Sequence, residues 1–458
     1  MNAFRAKVAT ARVVGSALRR AGRGGTSFPG KLLLRLDGDA IGKLADGLSA
    51  GSVTISATNG KTTTTALARS ILAHAQLATV DNFAGANMAG GIASALLGGA
   101  VHGAAARAQL GLFEVDEFWL PSVVAALRPR AIVLSNLFRD QLDRFGELET
   151  IGERWAQVAA ATPARLVLGA DDPLVAELGA EAEQPLYFGI EDPRVARRGG
   201  LSHASDSKQC RRCGGAYRYE HVYIGHLGVY ACSRCGQTRP VPSVGAHNVT
   251  LDGVRASHFE LRTPAGNAEV TLSLPGLYNV YNALAAAALA TALEIPLATI
   301  VAGLASTTAV FGRAERVLAD GHEVQILLVK NPAGTNEVLR TLALEPGQHH
   351  VLGLLNDQEA DGRDVSWIWD ADFEDLAARV GHVTCAGSRG PELALRLKYA
   401  GVPTSRISVE QQLSRALDQA LAGADGQTLY ALPTYTAMLD LRDVLTRRGH
   451  TTSSWTRR

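Results

Sequence analysis

The sequence predicts an α/β protein in which a nucleotide-binding domain carries an inserted zinc ribbon and is followed by a smaller α/β domain. Three observations lead to this fold class: a lysine-containing loop between an apolar strand and a helix, apolar strands that then alternate with helical stretches, and four cysteines in two C-x2-C pairs. The length of 458 residues leaves room for about two or three domains of ordinary size.

The composition is that of a soluble globular protein, with 47% hydrophobic and 19% charged residues. Lys+Arg (45) and Asp+Glu (44) nearly cancel, which argues against a nucleic-acid binder, because such proteins carry a basic excess. No apolar run approaches the roughly 20 residues of a membrane span, so we expect a cytoplasmic protein that is not integral to a membrane.

The N-terminus predicts an amphipathic basic helix, in which apolar positions at helical spacing lie beneath four arginines. The arginines interrupt any apolar core that a secretory signal would need. They are Arg12, Arg19, Arg20 and Arg23. Two interpretations stay open: the helix packs on the first domain, or it contacts anionic lipid at the inner face of the cell membrane.

A phosphate-binding loop is predicted after a short buried strand, Gly51 to Ser56, and before a helical pattern. In such loops the backbone amides wrap nucleotide phosphates, while here Lys61 would reach the terminal phosphates and the Thr62 hydroxyl would ligate Mg²⁺. Ile55 stands where the full motif has its first glycine, so an ordinary turn is the alternative. The loop residues are Thr58, Asn59, Gly60, Lys61, Thr62 and Thr63.

Acidic side chains cluster at the end of the next strand candidate, Ala108 to Val115. Glu114, Asp116 and Glu117 stand where a P-loop fold places groups that hold Mg²⁺ or orient water. A solvated acidic turn is the alternative for each of them alone. The dense polar segment 136–146, which follows a further strand candidate, is predicted to be a functional loop.

The two cysteine pairs predict a structural zinc site, because C-x2-C-x18-C-x2-C brings two tight knuckles together around one metal ion. Gly214 and Gly236 follow the two knuckles, as such turns favour. Disulfides or free thiols are the alternatives. His221 and His226, between the pairs, are predicted to lie at the surface, and Cys385 in the core of a later strand. The four zinc ligands are Cys210, Cys213, Cys232 and Cys235.

The phosphate loop and the segment 136–146 resemble the corresponding motifs of the Mur ligases and folylpolyglutamate synthases. The resemblance also includes Asn279 and Asn282, which it places at the adenine of ATP, and Arg313, which it places at the ribose or phosphates. Caps of the Ala-rich helix are the alternative role for the two asparagines. Together these motifs cover about the first 320 residues.

In this family Lys61 and the loop amides would hold the ATP phosphates, and Thr62 and Glu114 would support Mg²⁺. Two departures bear on the metal: Gln141 replaces a histidine, and Ala57 replaces a phosphate-loop glycine. About 50 residues precede the loop, fewer than the domain that grips a UDP-linked substrate usually occupies in Mur ligases. We therefore expect a lipid-linked substrate.

The zinc knuckles and the segments 330–334 and 360–370 narrow the resemblance to a glutaminase-coupled branch of the Mur ligase family, the synthetase subunits of lipid II isoglutaminyl synthases. The predicted division is a Mur-ligase-like ATP-binding domain at 1–315, with the ribbon at about 205–240, and a C-terminal α/β domain at 316–458. The resemblance implies that this second domain docks a glutaminase as a heterodimer.

Asp364 is predicted by the resemblance to complete the partner's Cys-His pair across the interface, orienting the imidazole. The alternative is that any acid of this loop merely binds a neighbouring amide. Trp367 and Trp369 are predicted either to anchor the partner or to fill the domain core. The competing acids are Asp357, Asp361 and Asp370.

The function implied by the resemblance is ATP-dependent amidation of the D-glutamate α-carboxylate of lipid II to D-isoglutamine. The carboxylate would be activated as an acyl phosphate, and ammonia would come from the glutaminase. Lys61 and Mg²⁺ would supply positioning and charge neutralisation. The alternatives are a stand-alone amino-acid ligase of the Mur or folylpolyglutamate type and a non-enzymatic zinc-ribbon and P-loop binding module.

Overall fold

The computed structural model describes residues 2–20, 27–82, 86–99, 108–140, 148–197, 201, 206–307 and 313–451. Several residues named from the sequence lie outside these ranges or are described only by their backbone. Outside the ranges are Arg23, Gln141 and the rest of the segment after Asp140. Of Arg19, Arg20 and Arg313 the backbone alone is described.

The first part of the chain forms a nine-stranded sheet and a separate hairpin. The strands are β1 (Ser52–Ser56), β2 (Thr79–Asp81), β3 (Leu110–Glu114), β4 (Ala131–Leu134), β5 (Arg165–Gly169), β6 (Leu186–Ile190), β7 (Tyr217–Ile224), β8 (Leu227–Cys232), β9 (Val244–Asp252), β10 (Ala256–Thr263) and β11 (Gly266–Leu272). The helices are α1 (Asn2–Arg20), α2 (Phe28–Leu36), α3 (Ala40–Ala45), α4 (Lys61–His74), α5 (Ala89–Gly99), α6 (Leu120–Leu127), α7 (Leu148–Ala161), α8 (Pro173–Ala176), α9 (Leu277–Ala292) and α10 (Leu297–Ala305).

The strand order of this sheet is β11-β10-β9-β6-β5-β4-β1-β3-β2, and all pairs from β9 to β2 are parallel. The predicted parallel α/β sheet is thus confirmed. Alternate side chains of β3, β4 and β5 enter two separate hydrophobic cores, one on each face of the sheet, since successive residues point to opposite faces. Helices α4, α9 and α10 cover one face, and α5, α6 and α7 cover the other. The antiparallel strands β10 and β11 at the edge of the sheet were not predicted from the sequence.

The C-terminal part forms a second, six-stranded sheet with the order β12-β13-β17-β14-β15-β16. It begins at Arg313, close to the predicted domain boundary, and its strands are β12 (Arg313–Ala319), β13 (His322–Leu327), β14 (His349–Leu354), β15 (Val380–Ala386), β16 (Ile407–Val409) and β17 (Leu429–Pro433). Its helices are α11 (Pro332–Ala343), α12 (Glu374–Ala377), α13 (Gly390–Tyr399), α14 (Leu413–Ala424) and α15 (Tyr435–Arg447). Cys385 is fully buried on β15, which confirms its predicted place in the core, and burial raises the pKa of its thiol to about 12.

The predicted basic N-terminal helix is α1, and it packs on the first domain. Ala11 is fully buried against Leu33 of α2 and Leu97 of α5, and Arg12 donates to the carbonyl oxygen of Leu97 at 3.2 Å. Lys7 pairs with Asp37 at 3.1 Å. Within the part of the chain that the structure describes, no helix has both the length and the apolar character to cross a membrane.

Candidate active site

Three loops meet at one edge of the nine-stranded sheet. They follow β1, β3 and β4, which are parallel neighbours, so the carboxyl ends of these strands point the same way. Crevices at such edges are the usual ligand sites of open α/β sheets. The loops cover residues 57–60, 115–119 and 135–140, and they bring the predicted phosphate loop, the acidic cluster and the polar segment together.

Gly60 begins α4 in a conformation that favours glycine. Its φ is +91°, and a Cβ at this position would overlap Oδ1 of Asn282 and lie 2.9 Å from its Cγ. The same Oδ1 accepts a hydrogen bond from Thr64 Oγ1 at 3.4 Å. The loop therefore passes close to the start of α9. The first amides of α4 have no partner within the helix, which makes its N-terminus a suitable place for an anion.

Lys61 is the buried cation of this edge. Its ammonium group donates to Oε2 of Glu117 at 2.8 Å and to the carbonyl oxygen of Ala57. Burial alone would lower the pKa of Lys61, but the charge of Glu117 and, further away, that of Glu114 outweigh burial and raise it. Lys61 thus keeps a full positive charge in the loop.

Two acids of the cluster lie at different distances from Lys61: Glu117 contacts its ammonium group, and Glu114 lies further away. Glu117 is the acid that pairs with Lys61. The sequence alone did not distinguish Glu117 from the neighbouring acids. Glu114 ends β3 and is 4% exposed, and its backbone is held by Asn82, which accepts from the Glu114 amide at 2.9 Å and donates to its carbonyl at 2.7 Å. The Thr62 hydroxyl and the Glu114 carboxylate are oxygen groups of the kind that Mg²⁺ prefers as ligands.

The polar segment after β4 holds the phosphate loop in place. The Thr58 amide donates to the Asn136 carbonyl at 2.9 Å, and Asn136 makes two reciprocal bonds with the backbone of Asn59, at 2.9 and 3.1 Å. The Thr58 hydroxyl accepts from the Phe138 amide at 3.0 Å and donates to its carbonyl at 3.3 Å. Residues 136–138 therefore hold Thr58 and Asn59 of the phosphate loop in place.

The C-terminal domain also reaches this loop. Lys330 pairs with Asp140 at 2.5 Å and donates to the Thr58 carbonyl at 3.3 Å. Asn331, which caps α11, exchanges side-chain hydrogen bonds with Asn59 at 2.9 and 3.3 Å. The sequence motif 330–334 does not by itself place these two residues at the loop; the packing of the two domains does.

Asn279 and Asn282 lie at the start of α9. This position is compatible with both of their predicted roles, contact with the adenine and capping of the helix. The Asn279 side chain donates to the Pro275 carbonyl at 2.8 Å and accepts from Asn282 at 3.0 Å. Asn282 lies against Gly60, so the pair borders the phosphate loop. Arg313 begins β12, and its backbone alone is described.

The predicted zinc ligands come together, with all four sulfurs within 4.8 Å of one another. Gly214 and Gly236 adopt φ values of +68° and +73°, as the predicted knuckle turns require. Amides of Cys235 and Arg234 lower the pKa of the Cys232 thiol to about 6. Four converging thiols, one already favouring the thiolate, fit the donor set of a structural zinc ion. They are Cys210, Cys213, Cys232 and Cys235.

The predicted surface position of His226 is wrong. Its side chain is fully buried, with Nε2 3.3 Å from Oδ2 of Asp172 and the ring centroid 4.8 Å from that of Phe138. Its position has a simple physical reason: the turn between β7 and β8 points into the domain instead of into solvent. His221, on the same hairpin, is half-buried.

The loop after β14 separates the acids that the sequence left in competition. Asp361 is 4% exposed and accepts hydrogen bonds from the amide and hydroxyl of Thr436, so it fixes the loop. Asp357 pairs with Arg389 at 2.7 Å. Asp364 is exposed, and a hydrogen bond from the Ser366 amide at 2.8 Å lowers its pKa. It is an ionised carboxylate at the surface.

The two tryptophans of this segment have different surroundings. Trp367 packs against the core of the second domain. Trp369 is 48% exposed and lies beside Tyr399, with ring centroids 5.9 Å apart and the Arg396 guanidinium 5.6 Å from the indole. Trp369 and Tyr399 thus form an exposed aromatic patch on the same domain as Asp364.

The fold and the site together define a ligase of the Mur type. Family models of the Mur ligase middle domain and of the MurT ligase C-terminal domain match residues 55–231 and 328–438. The pseudomurein peptide ligase type C of Methanothermus fervidus has a similar structure, with a TM-score of 0.66 and 24% identity over 87% of this chain and 79% of its own. MurF of Acinetobacter baumannii gives a TM-score of 0.64 at 19% identity, over 90% and 80% of the two chains.

Curated relatives narrow this class to one family. The subunit MurT of lipid II isoglutaminyl synthase (glutamine-hydrolyzing) from Streptococcus pneumoniae is 34% identical over 94% of both chains. The MurT subunit from Staphylococcus aureus is 33% identical over 95% of this chain and 96% of its own. The chain belongs to the MurT family.

Proposed function

We propose that this chain is the ATP-dependent amidating subunit of a lipid II isoglutaminyl synthase, acting on the α-carboxylate of D-glutamate in the lipid II stem peptide. The observation that carries the proposal is the phosphate loop, which is contacted by two polar loops of its own domain, 115–119 and 135–140, and by Lys330 and Asn331 of the other. The activity named for the MurT relatives, glutamine-hydrolyzing lipid II isoglutaminyl synthase, supports the choice of substrate and nitrogen source.

Each predicted site residue has a part in this proposal. Lys61 and the first amides of α4 bind the ATP phosphates, and Thr62 and Glu114 are the residues that would hold Mg²⁺, which screens phosphate charge when bound. Asn279 and Asn282 border the adenine. By the family resemblance, Arg313 would contact the ribose or phosphates.

The reaction proceeds through an activated carboxyl group, because a carboxylate is a poor electrophile at neutral pH. An oxygen of the α-carboxylate attacks the γ-phosphorus of ATP, and the bond to the β-phosphate oxygen breaks to release ADP. Ammonia then attacks the carbonyl carbon of the acyl phosphate, the carbon–oxygen bond to phosphate breaks, and the nitrogen loses a proton. Lys61 neutralises the developing phosphate charge, and Glu117 orients Lys61.

The nitrogen source is a glutaminase that docks on the C-terminal domain. Asp364 is exposed and ionised, which suits a carboxylate that orients the partner's histidine. The aromatic patch of Trp369 and Tyr399 offers a docking anchor of the kind that interfaces favour. The substrate is lipid-linked, so the complex works at the inner membrane surface.

Replacing Asp364 by Asn tests the division of labour between the two proteins. With the glutaminase present, the variant should lose about 100-fold or more of its glutamine-driven amidation, in line with other orienting carboxylates. Amidation driven by added ammonium should stay at the wild-type level, because the ATP site lies in the other domain. Both rates are followed by mass spectrometry of the lipid II product.

Asp370→Asn is the matched control, since Asp370 is an exposed acid of the same loop and should leave both rates unchanged. Equal loss of both activities in Asp364→Asn would contradict the assignment. Incorporation of an amino acid in place of ammonia would instead indicate a stand-alone ligase.

A further inference from the structure

The tip of the zinc ribbon's hairpin is built into the domain that carries the phosphate loop. Ile224 and Leu227, on either side of the turn, are 5% and 3% exposed and belong to the main hydrophobic core. His226 between them is fully buried. The proposed reaction gives this histidine no part, and a buried titratable side chain needs a partner to be tolerated.

One carboxylate joins the hairpin tip to the segment after β4. Asp172 Oδ2 accepts a hydrogen bond from the Leu137 amide at 2.8 Å and lies 3.3 Å from His226 Nε2. The second oxygen of Asp172 accepts from the Leu174 amide at 2.9 Å. Asp172 is itself fully buried. Any movement of His226 therefore changes the environment of the group that holds Leu137.

A second contact runs through Phe138. The His226 and Phe138 rings are 4.8 Å apart with an interplanar angle of 56°. At Gly225, whose φ is +56°, an added Cβ would lie 2.8 Å from Phe138 Cε1, so the turn packs closely on the ring. The backbone of Phe138 in turn makes both hydrogen bonds to the Thr58 hydroxyl.

We propose that His226 is a positioning residue for nucleotide binding, which acts through Asp172 and Phe138 to fix residues 136–138. Those residues hold Thr58 and Asn59, as described above, so the ribbon tip supports the geometry of the phosphate loop. The inference rests on the proposed role of that loop in ATP binding. The ribbon would then have a role beyond its own folding, exerted at the opposite end of the β7–β8 hairpin from Cys232.

The test compares His226→Leu, which removes the partner of Asp172, with His226→Gln, whose amide can donate to the same oxygen. His221→Leu is the control, because His221 lies on the same hairpin without contacting Asp172. The affinity of the zinc-loaded full-length chain for a Mg²⁺-bound, non-hydrolysable ATP analogue is measured by calorimetry. Zinc content and unfolding temperature are recorded for each variant. KM for ATP and kcat are measured for each variant in the ammonium-driven reaction.

We expect His226→Leu to weaken nucleotide binding by about tenfold or more, because the buried Asp172 carboxylate loses the imidazole that lies 3.3 Å away. KM for ATP should rise by a similar factor while kcat changes less. His226→Gln should recover binding to within about threefold of the wild type, since a neutral donor replaces a charged one. His221→Leu should bind as the wild type does.

A folded, zinc-loaded His226→Leu chain with wild-type nucleotide affinity would overturn the inference, even at a lower unfolding temperature. If this variant does not fold, Gly225→Ala takes its place, because its Cβ displaces the Phe138 ring and should weaken binding likewise. Lys61→Ala keeps the two proposals separate. If Lys61→Ala binds the analogue as well as the wild type does, the proposed ATP site is wrong, whatever the His226 variants do.

Discussion

Replacing Gly60 by Ala is a direct perturbation of the phosphate loop. Two effects add at this position. A non-glycine residue in the left-handed region costs about 1–2 kcal/mol, and the new Cβ overlaps Asn282 Oδ1. Asn282 must then move and lose its hydrogen bonds to Asn279 and Thr64, at about 1 kcal/mol each.

The sum is about 3–4 kcal/mol. A loop can relieve such strain by leaving the binding conformation, so most of the loss should fall on nucleotide affinity. We expect the affinity for a Mg²⁺-bound ATP analogue to drop by about 100-fold or more, because each 1.4 kcal/mol is about tenfold. Calorimetric titration of the full-length variant measures it.

Gly321→Ala is the matched control. Gly321 has φ +85° in the turn between β12 and β13, and an added Cβ would meet nothing within 4 Å. It carries the conformational strain without the overlap and should leave nucleotide binding unchanged. In the double variant Gly60→Ala, Asn282→Ala the overlap is gone. Its loss of nucleotide affinity should therefore be smaller than the sum of the losses in the two single variants. Binding by Gly60→Ala within about threefold of the wild type would refute this reasoning.

Two further predictions concern the ribbon and its buried histidine. Cys213→Ser should lower both the zinc content, measured by elemental mass spectrometry, and the unfolding temperature, because structural zinc sites contribute about 10 kcal/mol or more in isolated peptides. A Cys213→Ser chain that holds no zinc but unfolds at the wild-type temperature would contradict the zinc assignment. Burial lowers the pKa of His226, but Asp172 and Asp206 outweigh burial and the opposing charge of Arg139 and raise it. The stabilisation by this pair should be complete below the ordinary histidine value of 6.5 and fall as pH rises through the raised pKa. Urea unfolding of the wild type and His226→Gln across this range should show their difference shrinking with pH, whereas a constant difference would argue against a charged pair.

The features that were predicted well depend on residues that lie close together in the sequence. The loop from Thr58 to Thr63 and the spacing of the cysteines are local patterns, and each dictates its own geometry. The parallel sheet followed from the alternation of apolar strands with helices, because its central strands β1, β3 and β4 are buried along their whole length.

The contacts that complete the site are not local, which is why the sequence could not predict them. Asn331 meets Asn59 across 272 positions, and Lys330 meets Asp140 across 190. His226 looked like a surface residue because it stands in a hairpin turn, and turns are usually exposed. Only the packing of that turn on Phe138 reverses this expectation.

The measurement that tests the central claim most directly uses lipid II in which both oxygens of the D-glutamate α-carboxylate are replaced by a heavy oxygen isotope. The purified full-length chain is supplied with this substrate, Mg-ATP and ammonium, and the lipid product and the inorganic phosphate are analysed by mass spectrometry. The account predicts a carboxamide at D-glutamate and one labelled oxygen in each phosphate released, since the acyl phosphate bridge retains a carboxylate oxygen. Amide formation with unlabelled phosphate would contradict the acyl-phosphate route. No amide, with or without the glutaminase, would contradict the proposed activity itself.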